Sequence, residues 1–321
     1  MLDWLIRLWV DVSGSLFEGA VQPALYEAGL MEWADRVQEW LDFALLGVVQ
    51  VVLVYVVCRP LEAMRPVEPV SDQSAIRTDV LYTLLARLGV LPLVAFVLLS
   101  FAERQFNGLL ADAGFVPPTL ESLIPGLRDA PLLALLLYVV ILDFGEYWRH
   151  RFQHMFGWWY ALHSVHHAQR QMTFWTDDRN HLLDDAISAV WFGAVALLIG
   201  VPPVQFVLIV MFRQLAESLS HANVRLSFGR VGERMLVSPR FHRIHHGVLS
   251  AGEHGRNYAV LLPVWDWIFG TADFDRTSYP RNGDPMAPES LATGGWLRQQ
   301  VVGLRELGRS LRRHQGDGPA R

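Results

Sequence analysis

Histidine is the residue type from which this sequence could build chemistry. The chain has twelve, and eight of them fall in three short boxes. His150 and His154 are spaced HxxxH, His163, His166 and His167 form HxxHH, and His242, His245 and His246 repeat HxxHH much later. On a helix, positions i, i+3 and i+4 share a face, so each box is expected to turn its imidazoles toward a common point. Neutral imidazole is a good ligand for zinc, copper, iron and nickel. Eight imidazoles exceed what one tetrahedral zinc can use, so the spacing points to two metal ions. A single HxxxH would carry little weight, because paired helical histidines often only cap or hydrogen-bond. Three boxes in one chain argue for a metal site.

The elements that must position these boxes read as membrane helices. The chain is 52% hydrophobic and 18% charged, with a mean hydropathy of +0.23 and twelve tryptophans, as in an integral membrane protein. The net charge of −5 gives no sign of a nucleic-acid partner. Cys58 is the only cysteine, which excludes a disulfide framework and a zinc–thiolate site. Asp3, Arg7 and Asp11 interrupt the first apolar residues, so no cleavable signal peptide is expected.

Residues 1–40 read as an interfacial segment, with Trp33, Val37, Trp40 and Leu41 on one helical face. Leu41 to Cys58 is the first expected span, ended by Arg59-Pro60. Asp79 to Phe101 is the second, and Arg87 inside it must pair or snorkel. A polar loop follows over 102–130. Pro131 to Trp148 is the third span, and its helix is expected to leave the bilayer carrying His150 and His154. Trp158, Trp159 and Tyr160 then fall near the interface. Pro202-Pro203 splits the next apolar stretch into half-length helices over 186–200 and 204–219, read as a hairpin or re-entrant pair. A basic loop is expected over 224–241. From Trp296 to Leu311, apolar residues at helical spacing alternate with Arg298, Arg305 and Arg309, as in a membrane-surface helix or a solvated terminal one. Residues 315–321 read as disordered.

The boxes also sit in longer strings. DFGEYWRHRFQH, from Asp143 to His154, resembles the D-x-x-x-Y-W-x-H-R-x-x-H of the fatty acid hydroxylase superfamily. That superfamily includes sterol desaturases, sterol methyl oxidases, carotenoid hydroxylases and alkylglycerol monooxygenase. SPRFHRIHHG resembles its S-P-x-F-H-x-x-H-H, and NYAVLLPVWDWIFGT its N-Y-G…W-D-x-x-F-G-T ending. The resemblance runs from Asp143 to about Thr271, and residues before about 130 share only hydropathy. It implies nine metal ligands: His150, His154, His163, His166, His167, His221, His242, His245 and His246. His181 is a tenth candidate, although Leu182 replaces the proline of the family's H-P-x-D/E. His221 matches the family's lone histidine before the final box. Some members add another four residues on, where this chain has Arg225. His254 and His314 match nothing and are expected to be solvated, while Asn257, Tyr258, Trp265 and Asp266 are expected to pack around the site.

The resemblance further implies two iron ions, with zinc able to replace them on purification, and O2 as co-substrate. The expected reaction is hydroxylation of a lipid C–H bond, with desaturation on the same centre as the alternative. The competing class is a non-catalytic, zinc-binding membrane protein. No haem, flavin or nicotinamide fingerprint is present, so a separate electron-donor protein is expected. Neutral imidazoles leave metal charge uncompensated, and Asp143, Glu146, Asp184, Asp185 and Glu217 are the nearby acids. Each, taken singly, is expected to be salt-bridged to a neighbouring arginine.

The expected architecture is an all-α integral membrane helical bundle with a cytoplasmic histidine-rich helical cap. It divides into the interfacial segment 1–40, transmembrane helices over 41–130, a hydroxylase-like catalytic domain over 131–272 and an amphipathic tail over 273–321. Arg149, Arg170, Arg225, Arg234 and Arg243 lie near the boxes, which puts that face in the cytoplasm by the positive-inside rule. With no ER-retrieval signal at its end, the chain is expected in a bacterial inner membrane.

Overall fold

The computed structural model describes residues 2–90, 105, 108–110, 112–115, 117–248, 255–275 and 277–316. Among the described residues the chain is all-helical and forms no β-strand, only an isolated antiparallel bridge between Gly247 and Asn282. Two stretches, Met31–Met64 and Pro131–Met155, are long and apolar enough to cross a membrane.

Helices α1 (Leu2–Leu16) and α2 (Gln22–Glu27) are joined by a π-helical turn over Phe17–Val21. Helix α3 runs unbroken over Ala34–Met64. Both boundaries drawn from the sequence, at residue 40 and at Arg59-Pro60, therefore fall inside it. Pro60 is exposed, as is Val56, whose carbonyl loses its helical partner, so the gap in the hydrogen-bond ladder is not sealed in a core.

Helix α4 (Gln73–Arg87) starts on Asp72, whose carboxylate accepts from the backbone N–H of Ser74 and Ala75. It stops at Leu88, and Gly89 follows with φ +80°. The expected span Asp79–Phe101 is thus not one helix, and its residues 91–101 lie outside the described residues. Arg87 does not snorkel. Its Nε lies 2.8 Å from Asp178 and its Nη2 2.8 Å from Asp177. The end of α4 packs against α3 at Gly47, where the Arg87 carbonyl oxygen occupies the space of a Cβ, 1.6 Å from its ideal position.

Helix α5 covers Leu120–Leu123 and α6 covers Pro131–Met155. Pro131 suits the first turn of α6, and the apolar run behind it carries the helix on to His150 and His154 without a break. Helix α7 (Gly157–His167) follows after a single extended residue, Phe156. Helices α8 (Leu182–Leu198) and α9 (Pro203–His221) fold back on one another, with Gly200 at φ +59° in the turn and the rings of Phe192 and Phe206 5.5 Å apart. Phe192, Ala196 and Ile209 from this pair close a core with Ala134, Tyr138 and Leu142 of α6.

The supposed basic loop over 224–241 contains α10 (Gly229–Met235) and the start of α11 (Pro239–His245). Helix α11 has Ser238 as N-cap, bonded to the Phe241 N–H at 3.1 Å, and Pro239 at its first position. Helices α12 (Val264–Ile268), α13 (Glu289–Thr293) and α14 (Trp296–Gly316) complete the chain. The tail is more than a surface appendage. Helix α14 packs along α7 and α4, where Gly303 abuts His181 and Gln299 accepts a 2.9 Å hydrogen bond from the Tyr82 hydroxyl. Behind α7, fully buried Arg179 pairs with fully buried Asp79 at 2.5 Å and donates to the carbonyls of Val165 and Leu291.

Candidate metal centre

Among the described residues, two groups of histidines bring their ring nitrogens within 4.8 Å of one another. The first joins His150 and His154 of α6, His163 and His167 of α7, and His245 of α11. The second joins His166 of α7, His221 of α9, and His242 and His246 of α11. Each HxxHH box is therefore divided. Its i and i+4 histidines go to one cluster and its i+3 histidine to the other, which corrects the expectation that a box serves one point. The reason is that α7 and α11 pack their histidine rings against one another. Each helix runs between the two clusters, so positions about 100° apart around it face different neighbours. The clusters abut where the rings of His167 and His246 stack, 4.4 Å apart.

The hydrogen bonds behind the rings set which nitrogen faces inward. His150 Nδ1 lies 2.8 Å from the Tyr258 carbonyl, His245 Nδ1 2.8 Å from that of Arg256, and His221 Nδ1 2.7 Å from that of Glu217. A carbonyl only accepts, so each Nδ1 carries the proton and each Nε2 presents a lone pair. His163 is fixed in the same way by Asp184, whose Oδ2 is 3.1 Å from its Nδ1. The ring nitrogens then crowd together. His221 Nε2 is 3.2 Å from His166 Nε2 and 2.9 Å from His242 Nε2, and His245 Nε2 is 3.2 Å from His167 Nε2. The Nε2 atoms of His150, His154 and His163 are buried with no protein partner. Buried acceptors aimed at one another are costly unless a cation lies between them. This donor set, neutral nitrogen and several per cluster, fits iron or zinc.

Burial holds several of these imidazoles neutral. It lowers His245 to about 3 and His221 to about 4, and it pulls His166, His167, His242 and His246 well below the usual histidine range, with neighbouring imidazoles adding to the effect. The neutral ring is the form that ligates metal.

His181 stands outside both clusters. It is the N-cap of α8, its Nδ1 accepting from the Leu183 N–H at 3.0 Å and its Nε2 3.0 Å from the Gln300 carbonyl. Both ring nitrogens are spent on structure. His254 lies outside the described residues, and His314 lies in the last turn of α14.

The acids separate by role. Asp184 accepts from Gln153, Trp159 and His163, and although burial opposes its ionisation, these bonds hold its carboxyl below the usual range. Asp143 accepts from the backbone N–H of Leu261 and Leu262 and from the Trp265 indole, pinning the loop that carries the Tyr258 carbonyl. Neither has the arginine partner expected for it among its hydrogen bonds. Glu146 is bridged by Arg149 and Arg213, and Glu217 by Arg213. Asn257 adopts φ +58° and bonds Phe241, Thr271 and Asp273, while Asp266 accepts from the N–H of Tyr258 and Ala259. Asp177, 3.6 Å from His221 Nδ1, was not legible, because nothing in its TDDRN setting links it to a histidine 44 positions later.

Comparison with known proteins places these features. The fatty acid hydroxylase family model matches residues 135–271. Alkylglycerol monooxygenase of Danio rerio is 34% identical over 129 residues, which is 40% of this chain and 28% of that protein. The human alkylglycerol monooxygenase gives the same identity and coverage. This chain thus spans little more than a quarter of those relatives. Ornithine lipid hydroxylase OlsE of Rhizobium tropici is 27% identical over 293 residues, 90% of this chain and 83% of that protein. No solved structure matches.

Proposed function

Because this chain belongs to the fatty acid hydroxylase superfamily, we propose that its two histidine clusters hold two iron ions and that it hydroxylates a membrane lipid with O2. The observation that carries this reading is the convergence of buried imidazole nitrogens in each cluster, with the Nε2 atoms of His150, His154 and His163 left without any hydrogen-bond partner. The proposed ligands are His150, His154, His163, His167 and His245 for one ion, and His166, His221, His242 and His246 for the other. His181 is left out of the set. Iron held there would supply, with O2 and electrons from a donor, the oxidising power to hydroxylate an unactivated C–H bond. The chain's own part is to orient and to exclude water. Asp184 and the carbonyls of Tyr258, Arg256 and Glu217 hold the Nδ1 protons, so the imidazoles cannot turn their lone pairs away.

A lipid substrate accords with α3 and α6, whose exposed Val49, Val52, Leu132 and Leu136 suit a bilayer, and with relatives named for lipid hydroxylation. The electrons come from a separate donor protein. Zinc competes for the same imidazoles during purification. In the test, membranes are incubated with labelled oxygen gas, a reductant and native lipids. One labelled atom is expected in a lipid product, and none with the His166→Ala variant. A new double bond without label would make the reaction desaturation. Unchanged lipid with tightly held zinc would favour a metal-binding protein that does no catalysis.

The cap carrying the boxes is proposed to face the cytoplasm, because arginines cluster around it. A cysteine at Arg230→Cys is expected to resist an impermeant thiol reagent in intact cells, and ready labelling from outside would reverse the orientation.

A further inference from the structure

Helix α14 has three sides. At roughly 100° per residue, Gln299, Gln300, Val302 and Gly303 occupy one sector, buried against α4 and α7. The next sector carries Leu297, Val301, Leu304 and Leu311, which are 67, 40, 51 and 48% exposed. The third carries Arg298, Arg305, Arg309 and Arg312, all exposed, and Glu306 is the only acid in the helix. A helix lying on a protein in water would be polar over both outer sectors. Here one outer sector is a continuous apolar stripe and the other is cationic.

The first turn of this helix packs beside α4, which itself packs on the candidate spanning helix α3. The Trp296 ring sits 6.4 Å from that of Tyr82. Arg87 meets Gly47 of α3, and Trp40 donates to the Gly89 carbonyl at 2.8 Å, so α4 runs antiparallel to α3.

We propose that α14 lies in the headgroup region of an anionic membrane leaflet, with its leucine–valine stripe toward the acyl chains and its arginines on lipid phosphates. This rests on the reading of α3 as a membrane span. The test uses the full chain in vesicles of phosphatidylcholine alone or of equal parts phosphatidylcholine and phosphatidylglycerol. An environment-sensitive thiol fluorophore is placed at Leu304→Cys, with Val49→Cys in the middle of α3 as reference. Cys58, at 2% exposed, is shielded from the reagent. With phosphatidylglycerol present, both probes are expected to be shielded from aqueous iodide. Changing Arg298, Arg305, Arg309 and Arg312 to Gln should expose the Leu304 probe and leave the Val49 probe shielded, the docked-to-free ratio falling roughly fivefold per arginine. A Leu304 probe that iodide quenches in both vesicles overturns the proposal. So does shielding that does not depend on phosphatidylglycerol, whether neutral lipid or a second copy provides the cover. Quenching at Val49 would instead remove the spanning reading of α3, and this proposal with it.

Discussion

Replacing His246 with alanine is expected to cut the metal content of freshly prepared, iron-replete protein from two ions per chain to one. His246 belongs to the cluster of four, so its loss leaves three imidazoles, His166, His221 and His242. His245, the preceding residue, belongs to the cluster of five and leaves four behind. Its alanine variant should therefore keep more metal. Loss of a direct ligand should weaken affinity at that site beyond the ~10–100-fold typical of losing a group that only orients a ligand. Elemental analysis of both variants decides the matter. Two ions retained in the His246 variant, or equal losses in the two variants, would contradict the partition of the boxes.

The largest effect on stability is expected at Asp79. Its carboxylate is fully buried and accepts from Arg179, Gln169 and Thr176. The Arg179 guanidinium is equally buried, so Asp79→Ala strands a charge behind the helix that carries three of the site's histidines. Breaking such a pair from one side costs about 3–5 kcal/mol. Thermal unfolding in detergent, at a fixed scan rate, should show the loss. Replacing both partners, Asp79→Leu with Arg179→Met, should recover most of it, because no charge is then left unpaired. A loss below about 1 kcal/mol would put the pair in the class of exposed ion pairs.

The parts of the site written in local spacing were legible, and those made by helices crossing were not. HxxxH and HxxHH mark eight of the nine histidines that the fold gathers, and the ninth, His221, was reached through its resemblance alone. That α6 would carry His150 and His154 past an apolar run also follows from its sequence. The division of each box between two clusters does not, because periodicity fixes the face of a helix and says nothing about what stands opposite it. His181 was left open for a similar reason. Its string resembles a ligand motif with the proline replaced by Leu182, and its contacts with the Leu183 N–H and with the Gln300 carbonyl, 119 residues away, are not readable from that string. Arg87 reads as a liability inside an apolar stretch until its partners, Asp177 and Asp178, are seen across the fold.

The unequal sourcing of the clusters bears on how the site comes into being during synthesis. Four of the five histidines of the first cluster lie between residues 150 and 167, on two helices joined by one residue. Bringing them together closes only a short loop, with a small entropic cost. The second cluster draws one histidine from that hairpin and three from residues 221–246, so its closure spans α8 and α9 as well. A chain that has emerged only through α7 already owns most of one histidine cluster and a single corner of the other.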